Sequence, residues 1–212
     1  MDVLLLGASG RIGQRITTEL LDRGHSVAGV SRSGDFEGHP GDDFVAVAGD
    51  ATNSGDIARL AADHDAVASA LGPSGDESAD VLPKMLDAVV EGMRRASVER
   101  LVWTGGAGIL NVGPNTRLID SDDFPEEWKP VASAAIDAYE RLEDADDLRW
   151  TYLAPAALIE PGERTGDYRT AVGELVADDD GESYISMEDF AVAFVDELES
   201  SEGVHEKLGV GY

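Results

Sequence analysis

The sequence predicts an α/β fold with a doubly wound parallel sheet, in a single domain that spans residues 1–212 and carries a small C-terminal extension. Short apolar runs alternate along the chain with segments of helical periodicity. Most of these runs lack the polar alternation of a half-exposed strand, which indicates burial on both faces, as in a parallel sheet. The length of 212 residues suits one such domain and is slightly short for two.

Six strands are predicted from the apolar runs, at residues 3–6, 26–30, 44–48, 66–70, 101–104 and 150–153. Between most of them, apolar residues recur at intervals of three and four, as on one face of a helix. The clearest stripes are Ile12, Ile16 and Leu20, and then Leu82, Met85, Leu86, Val89 and Met93. We expect both stripes to face the core. The repeated order of strand, helix and strand favours right-handed crossovers.

The chain closes with a predicted helix and a predicted short strand. Ser186 with Asp189 three residues later has the pattern of a capping box, which starts a helix. The apolar stripe of this helix consists of Ala191, Phe194, Val195 and Leu198. The final residues, KLGVGY, are predicted to form the strand.

Three segments interrupt the alternation, at residues 76–80, 105–130 and 155–183. Long loops in compact domains are usually lids or binding loops. All three segments follow predicted strands directly or nearly so, and open α/β sheets bind ligands at the carboxyl edge of the strands. We therefore expect residues 105–130 and 155–183 to form loops on the substrate side.

The chain is strongly acidic. Its 43 Asp and Glu residues outnumber 16 Lys and Arg residues, which gives a net charge of −27. A field of this sign repels polyanions, so no nucleic-acid partner is expected. The acids are spread among segments that look folded, with clusters at residues 42–43, 122–123 and 178–180. A solvated acidic shell of this kind is typical of proteins that work in concentrated salt, so a halophilic cytoplasm is expected.

Membrane, disulfide and metal sites are not expected. No apolar run approaches the roughly 18 residues that cross a membrane, and the N-terminus lacks a basic, apolar export signal, so the expected location is cytoplasmic. The absence of cysteine removes disulfides, thiolate nucleophiles and sulfur-ligated metals. The four histidines are scattered without ligand spacing, so no metal is predicted: His25, His39, His64 and His205.

The strongest local motif is the N-terminal VLLLGASGRIGQ, in which Gly7, Gly10 and Gly13 follow the first strand and open the first helix. Gly7 permits a tight turn, Gly10 lets the backbone approach a pyrophosphate, and Gly13 allows the helix to pack closely on the strand. Free amides at the helix N-terminus then face the phosphates. The motif predicts a dinucleotide site; the alternative is an ordinary strand-to-helix turn.

The end of the second strand predicts which dinucleotide binds. An acidic residue there pairs with a free ribose 2′-hydroxyl and repels a 2′-phosphate, but this chain has Ser31, Arg32 and Ser33, with no carboxylate before Asp35. Arg32 is suited to bind a 2′-phosphate through two hydrogen bonds, helped by a serine hydroxyl and by the charge of Arg11. NADP(H) is therefore expected to be preferred over NAD(H). The alternative is that Arg32 is a surface arginine paired with neighbouring acids.

The remaining cofactor positions lie in the turns that follow the strands. Asp50, after the third strand, is placed to meet the adenine amino group; the alternative is a helix cap or turn residue. The other positions assigned to this site are Ser9, Ile12, Ala51, Ala70, Leu71 and Gly72.

Several motifs together carry a family resemblance that covers nearly the whole chain. The first group resembles the short-chain dehydrogenase/reductase superfamily in its atypical or extended branch: GASGRIG, SRS, GDAT and WTYLAPA. The second group resembles the NAD(P)H-binding flavin-reductase-like group, which is related to biliverdin-IXβ reductase and NmrA-like proteins: TGGAG, DFPEEWKPVA, LRWTYLAPAALIEPGERTGDYR and ISMEDFAVAFVDELE. The resemblance implies a Rossmann fold with a nicotinamide cofactor.

One departure from the wider superfamily bears on mechanism. Classical members carry Tyr-x-x-x-Lys on the helix before the sixth strand, where the lysine and the nicotinamide ribose lower the tyrosine pKa for proton transfer. Counting back from RWTYLAP places these positions near Ala132 and Ile136, so the pair is absent. Tyr139 is on the same helix, but Glu143 stands four positions later, so packing is its expected role.

The missing pair narrows the expected chemistry to substrates that need no side-chain acid. A flavin or bilin spreads the incoming charge over its ring and takes its proton from water. The resemblance therefore implies an NADPH-dependent reductase of a flavin or other conjugated ring. Pro155 and Ala156 are expected to border the nicotinamide, and Thr104, Gly105 and Gly106 to form the floor beside it.

Three more residues are assigned to the substrate, which is expected to be a small molecule. Trp128 and Lys129 are expected to cover and attract it, and Arg164 to bind a phosphate or carboxylate on it. The alternatives are a core anchor for Trp128 and a surface cation for Lys129.

The rival interpretation is a non-catalytic NADP(H)-binding regulator of the NmrA-like kind, which senses redox state and binds a protein. The two interpretations differ in whether the cavity beside the nicotinamide is open or filled by side chains such as Trp128. A sugar-nucleotide epimerase is disfavoured, because such enzymes use the missing tyrosine and a larger C-terminal domain. A monomer or homodimer is expected.

Overall fold

The computed structural model describes residues 1–38, 40–73, 77–122 and 124–212. His39, the start of the segment at residues 76–80, and Asp123 lie outside these ranges. The helices within them are α1 (Arg11–Asp22), α2 (Ser54–Ala61), α3 (Val81–Ala96), α4 (Lys129–Glu143) and α5 (Met187–Ser200). The strands are β1 (Asp2–Leu6), β2 (Ser26–Ser31), β3 (Phe44–Ala48), β4 (Ala66–Ser69), β5 (Arg100–Thr104), β6 (Asn111–Gly113), β7 (Thr116–Arg117), β8 (Arg149–Pro155), β9 (Leu158–Glu160), β10 (Arg169–Val172), β11 (Tyr184–Ser186) and β12 (Lys207–Gly211).

Eight of these strands form one sheet in the order β10-β12-β8-β5-β4-β1-β2-β3. Neighbours run parallel except for β10, which is antiparallel to β12. The chain moves outward from β1 to β3 and then returns to place β4 on the other side of β1. This reversal confirms the predicted doubly wound sheet, and it opens a crevice at the carboxyl ends of β1 and β4.

Helices cover both faces of the sheet, so the central strands are buried on both sides, as predicted. Leu4 and Leu6 of β1 face a core beneath α2, α3 and α4, whereas Val3 and Leu5 face a second core beneath α1 and α5. The exception is β3 at the sheet edge, where Val45 is 60% exposed. Among the described residues, no helix is both long and apolar enough to cross a membrane.

The C-terminal elements form as predicted. The hydroxyl of Ser186 accepts a hydrogen bond from the amide of Asp189 at 2.9 Å and caps α5. The apolar stripe of α5 is buried and consists of Ala191, Phe194, Val195 and Leu198. The last strand, β12, pairs with β8 and β10.

The two long segments are more ordered than predicted. Residues 105–130 contain the β6–β7 hairpin and three short 3₁₀ helices. Residues 155–183 start inside β8 and contain β9 and β10, of which β9 pairs with β11. These short strands were not predicted, because their largely exposed residues lack a buried apolar run.

Residues 160–168, here called the strap, lie along α1 and α5. The Arg164 guanidinium donates two hydrogen bonds of 2.7 Å to the carboxylate of Glu19 on α1. The amide of Gly162 donates to Glu188 on α5, and the hydroxyl of Tyr168 donates to Asp196.

Asp189 is the central anchor of the strap. Its buried carboxylate accepts hydrogen bonds from the Thr165 hydroxyl and amide at 2.6 and 2.8 Å, from the Gly166 amide at 2.8 Å and from the Tyr212 hydroxyl at 2.6 Å. Burial alone would raise the pKa of Asp189, but these donors outweigh it and hold that pKa below its ordinary value.

Candidate functional site

A cleft of about 1190 Å³ lies where β1, β2, β4 and β5 end, at the crevice made by the strand order. Fourteen of the positions assigned from sequence line it: Gly7, Ser9, Gly10, Arg11, Ile12, Ser31, Arg32, Asp50, Ala51, Ala70, Leu71, Gly72, Thr104 and Gly105. The cleft therefore gathers residues from these four strand ends and from the turn that follows β3.

The glycine turn between β1 and α1 is too tight for side chains at two positions. Gly7 has φ +78°, and a Cβ there would lie 2.6 Å from the carbonyl oxygen of Ala70. A Cβ on Gly13 would lie 2.1 Å from the carbonyl oxygen of Gly7, so Gly13 allows close packing and does not line the cleft. No side chain caps α1 at Gly10, which leaves the first amides of the helix to a ligand.

Arg32 lies just after β2 with a side chain that is 64% exposed. Its Nη1 donates a hydrogen bond to Oε1 of Glu77 at 2.8 Å, and both residues line the cleft. Ser31 also lines the cleft, but its hydroxyl donates to the carbonyl of Asp35 within the local turn. Arg11, on the glycine turn, adds a second cation to the same wall.

Asp50 lines the cleft and also orders the turn after β3. Its Oδ1 accepts hydrogen bonds from the amide and hydroxyl of Thr52, at 2.8 and 2.7 Å. The cap of α2 is Asn53, so Asp50 is a turn residue rather than a helix cap.

The other half of the cleft is apolar and is here called the chamber. It lies beside Thr104 and Gly105, and its remaining walls are Leu82, Met85, Trp103, Gly106, Val131, Ala135, Ala138 and Met187. No acidic or basic side chain among the described residues belongs to these walls. Sequence reasoning missed most of them, because the apolar stripe of Leu82 and Met85 on α3 reads equally well as core.

Tyr152 supports the floor of the chamber from beneath. A Cβ on Gly105 would lie 1.9 Å from Cε1 of the Tyr152 ring. The Tyr152 hydroxyl accepts a hydrogen bond from the Gly106 amide at 3.1 Å and donates to the Ala135 carbonyl at 3.3 Å. Burial raises the pKa of Tyr152 to about 12, so its hydroxyl stays protonated at neutral pH.

The positions on α4 that face the cleft differ by one from those obtained by counting. Val131 and Ala135, four residues apart, line the chamber, whereas Ala132 packs towards Gly108 and Ile136 is buried in the core. The prediction of Ala132 and Ile136 was therefore wrong in phase, because one residue turns a helix by about 100°. Ala138 also lines the chamber, and all three of these α4 positions are apolar, so the Tyr/Lys pair is absent from this face as well.

Five other assigned residues lie outside the cleft. Pro155 ends β8 and pairs with β12, and Ala156 turns into the core beneath α5. Trp128 is 53% exposed, its ring meets that of Phe124 edge-on at 6.5 Å, and it does not line the cleft, so it neither fills the cavity nor anchors the core. Lys129 forms an ion pair with Glu126, and Arg164 is held by Glu19 on α1.

The polar half of the cleft fits a nicotinamide dinucleotide. The glycine turn offers uncapped amides to a pyrophosphate, and Arg11 and Arg32 offer cations. At the border of the chamber, the buried hydroxyl of Thr104 has no hydrogen-bond partner in the parts of the chain that the structure describes. Over the same ranges, no cluster of His, Asp and Glu side chains has the form of a metal site.

Three solved structures are similar to the whole of this chain. A provisionally named exported protein of Burkholderia pseudomallei is 44% identical, with a TM-score of 0.91 and 100% coverage of both chains. A provisionally named epimerase of Bacteroides thetaiotaomicron is 33% identical, with a TM-score of 0.91 and coverage of 100% of this chain and 96% of that one. A provisionally named NADH-flavin reductase of Streptococcus pneumoniae is 30% identical, with a TM-score of 0.87 and coverage of 100% and 99%.

The three names differ, so they do not agree on a reaction. The family profile does identify the cofactor class, because residues 7–201 match the family described as NAD(P)H-binding. This match includes the glycine turn, the ends of β2, β4 and β5, and the chamber. The chain belongs to the NAD(P)H-binding family, among the flavin-reductase-like Rossmann proteins.

Proposed function

We propose that the protein is an NADPH-dependent reductase that passes hydride to a flavin or to another conjugated ring. The observation that carries this proposal is the apolar chamber beside Thr104 and Gly105, which adjoins the polar dinucleotide half of the same cleft. A flat, apolar substrate ring fits a chamber whose described walls hold no charged side chain.

In this proposal, the residues of the chamber position the reactants and take no chemical part in the hydride transfer. A nicotinamide bound here would supply the hydride. Val131, Ala135 and Met187 shield the reacting faces from water, and the unpartnered Thr104 hydroxyl is available to orient a polar group of the cofactor or substrate. Because no side-chain acid lines the described chamber, the substrate must accept hydride without one and take its proton from solvent at the mouth.

The preference for NADPH belongs to the same proposal. Its support is the exposed Arg32 side chain just after β2. The described residues that β2 and its following turn contribute to the cleft include no carboxylate. A guanidinium binds a phosphate through paired, charge-assisted hydrogen bonds, which a ribose hydroxyl does not offer.

Two other classes are less well supported. A regulator with a filled cavity is disfavoured by Trp128, which lies outside the cleft. An epimerase is disfavoured because the described chamber walls provide no proton-transfer group. A flavin as substrate gains support from the Streptococcus pneumoniae relative and its name.

The test is stopped-flow oxidation of bound NADPH and NADH by a panel of flavins, quinones, bilins and simple ketones in concentrated sodium chloride. We expect at least one conjugated ring to oxidise NADPH rapidly, and ketones to be inert. If none of the rings oxidises NADPH, the result would favour the regulator. Fast ketone reduction would imply a proton donor at the site and would contradict the proposed mechanism.

A pair of variants locates the reaction in the chamber. Val131→Trp places a bulky ring at its mouth and should lower kcat/KM by about tenfold or more while leaving NADPH affinity unchanged. Val112→Trp is the matched control, because Val112 is equally exposed, at 45% against 44%, but lies on the β6–β7 hairpin outside the cleft. Equal effects of the two variants would contradict the placement.

A further inference from the structure

An ion pair crosses the mouth of the cleft at the nucleotide end. Arg32 Nη1 lies 2.8 Å from Oε1 of Glu77, although the residues are 45 positions apart. Arg32 directly follows β2, whereas Glu77 comes from the segment between β4 and α3. Sequence reasoning found no acid at the end of β2, yet the fold brings one there from another element.

The carboxylate of Glu77 occupies the donor that a 2′-phosphate would use. Both groups are anions that bind a guanidinium through the same N–H groups, so they compete for Arg32. We propose that Glu77 is a specificity-determining residue, which lowers the affinity of the cleft for a 2′-phosphorylated adenine dinucleotide by competing for Arg32 and repelling the phosphate. This proposal rests on the proposed NADPH site.

Because the Arg32–Glu77 ion pair is partly exposed, a phosphate can replace the Glu77 carboxylate on Arg32. The Arg32 and Glu77 side chains are 64% and 31% exposed, and ion pairs in such positions are weakly held. A phosphate carries nearly two negative charges and three acceptor oxygens, so it displaces a single carboxylate. Glu77 then lies beside the bound phosphate as a like charge.

The rest of the cleft wall does not offset this repulsion. Among the described residues that line the cleft, three acids face two arginines: Asp50, Asp56 and Glu77 against Arg11 and Arg32. Neutralising Glu77 leaves two acids against two arginines on the described wall and removes one charged acceptor from the Arg32 guanidinium in the same step. The wild-type chain is therefore expected to discriminate between the two dinucleotides less strongly than Arg32 alone would allow.

The test compares two nucleotides that differ only in the 2′-phosphate: adenosine 2′,5′-bisphosphate and adenosine 5′-monophosphate. Calorimetric titration at one fixed salt concentration is done on the wild type, Glu77→Gln, Arg32→Ala and the double variant. Glu91→Gln is the matched control, because it removes the same charge from an exposed site on α3 that does not line the cleft.

Glu77→Gln should tighten binding of the bisphosphate by about three- to tenfold and change the monophosphate by less than about twofold. Glu91→Gln should leave both affinities nearly unchanged, and the gain should vanish when Arg32 is replaced by Ala. An equal gain for both nucleotides, or a gain that survives without Arg32, would overturn the proposal.

The same titrations distinguish a failure of the Glu77 proposal from a failure of the proposed NADPH site. If the wild type prefers the bisphosphate and Glu77→Gln adds nothing, the proposal about Glu77 is wrong and the NADPH site stands. If no variant separates the two nucleotides, Arg32 is not a 2′-phosphate site and both proposals fail.

Discussion

Two tyrosines near the chamber, Tyr139 and Tyr152, have raised pKa values and make packing contacts. The Tyr139 hydroxyl donates to Oε1 of Glu143 at 2.8 Å, and its ring meets Trp150 and Tyr152 edge-on. Burial, with Glu143 as its hydrogen-bond partner, raises the pKa of Tyr139 well above its ordinary value. Tyr139 does not line the cleft, so its structural setting agrees with the packing role expected from the sequence.

Tyr139→Phe should therefore leave turnover within about threefold of the wild type, because no proton passes through this hydroxyl. Loss of one hydrogen bond should lower the free energy of unfolding by about 1 kcal/mol. The check is kcat/KM from pH 6 to 9, together with urea unfolding. Since the raised pKa keeps Tyr139 protonated throughout this range, its removal should not alter the pH profile.

A fall in kcat/KM beyond roughly 100-fold, the scale of a general acid, would refute this assignment. Tyr152→Phe provides a contrast, because the Tyr152 hydroxyl ties Gly106 to α4 beneath the chamber floor.

At the scale of elements, sequence periodicity was enough to predict the parallel strands but not the phase of α4. The central strands are short runs with almost every residue buried, and burial leaves a clear apolar signature. The face that α4 turns to the cleft depends on where Lys129 begins the helix after a segment of 3₁₀ turns. A count from β8 back to α4 crosses irregular backbone, so it misses by one residue.

The strap could not be predicted because its contacts join distant parts of the chain. Arg164 reads from sequence as an anion-binding residue, but Glu19, 145 positions earlier, binds it. Neither local propensity nor spacing encodes such a pairing. Glu77 at the cleft mouth is a second example, since only the fold brings it to Arg32.

Asp189→Asn should loosen the strap. An amide cannot accept from all four donors, so the free energy of unfolding should fall by about 1–3 kcal/mol at neutral pH. Because the folded-state pKa of Asp189 is depressed, the stability it adds is present above the unfolded pKa of about 3.9 and is lost as pH falls through the lower folded pKa.

Urea unfolding from pH 7 to pH 3 checks this expectation, with limited proteolysis of residues 160–168 as a local readout. The difference between wild type and variant should shrink below about pH 4. Asp137→Asn, at an exposed position on α4, is the matched control and should change little. A difference that persists unchanged in acid would show that the charge of Asp189 is not what holds the strap.

At the scale of the whole molecule, the excess of acids governs stability. Arg23 is shared among three acids, Glu19, Asp196 and Glu199. With a net charge of −27, most acids remain without a cation of their own. Their mutual repulsion extends over about 3 Å in 1 M salt and about 10 Å in 0.1 M salt.

We therefore expect thermal stability to fall as sodium chloride is removed. A loss of about 3 kcal/mol would lower the Tm by roughly 6–12 °C for a chain of this size. Thermal unfolding over a salt series, with and without NADPH, measures both this loss and the weaker binding of an anionic cofactor. Asp179→Lys, at an exposed position in an acidic cluster, should flatten the salt dependence. A Tm that is constant from molar salt to dilute buffer would contradict the halophilic prediction.

The wall of the cleft has a consequence for protein engineering. Apart from Met187, its described residues all come from positions 6–138, whereas the strap, β12 and α5 are joined by contacts of their own. Met187 is buried, so random mutagenesis of exposed positions beyond residue 139 alters no described residue of the cleft wall. A library built there can explore new surfaces and attachment points without changing the described cleft wall, which makes the exposed positions in this last third of the chain a natural place to attach a tag or a sensor.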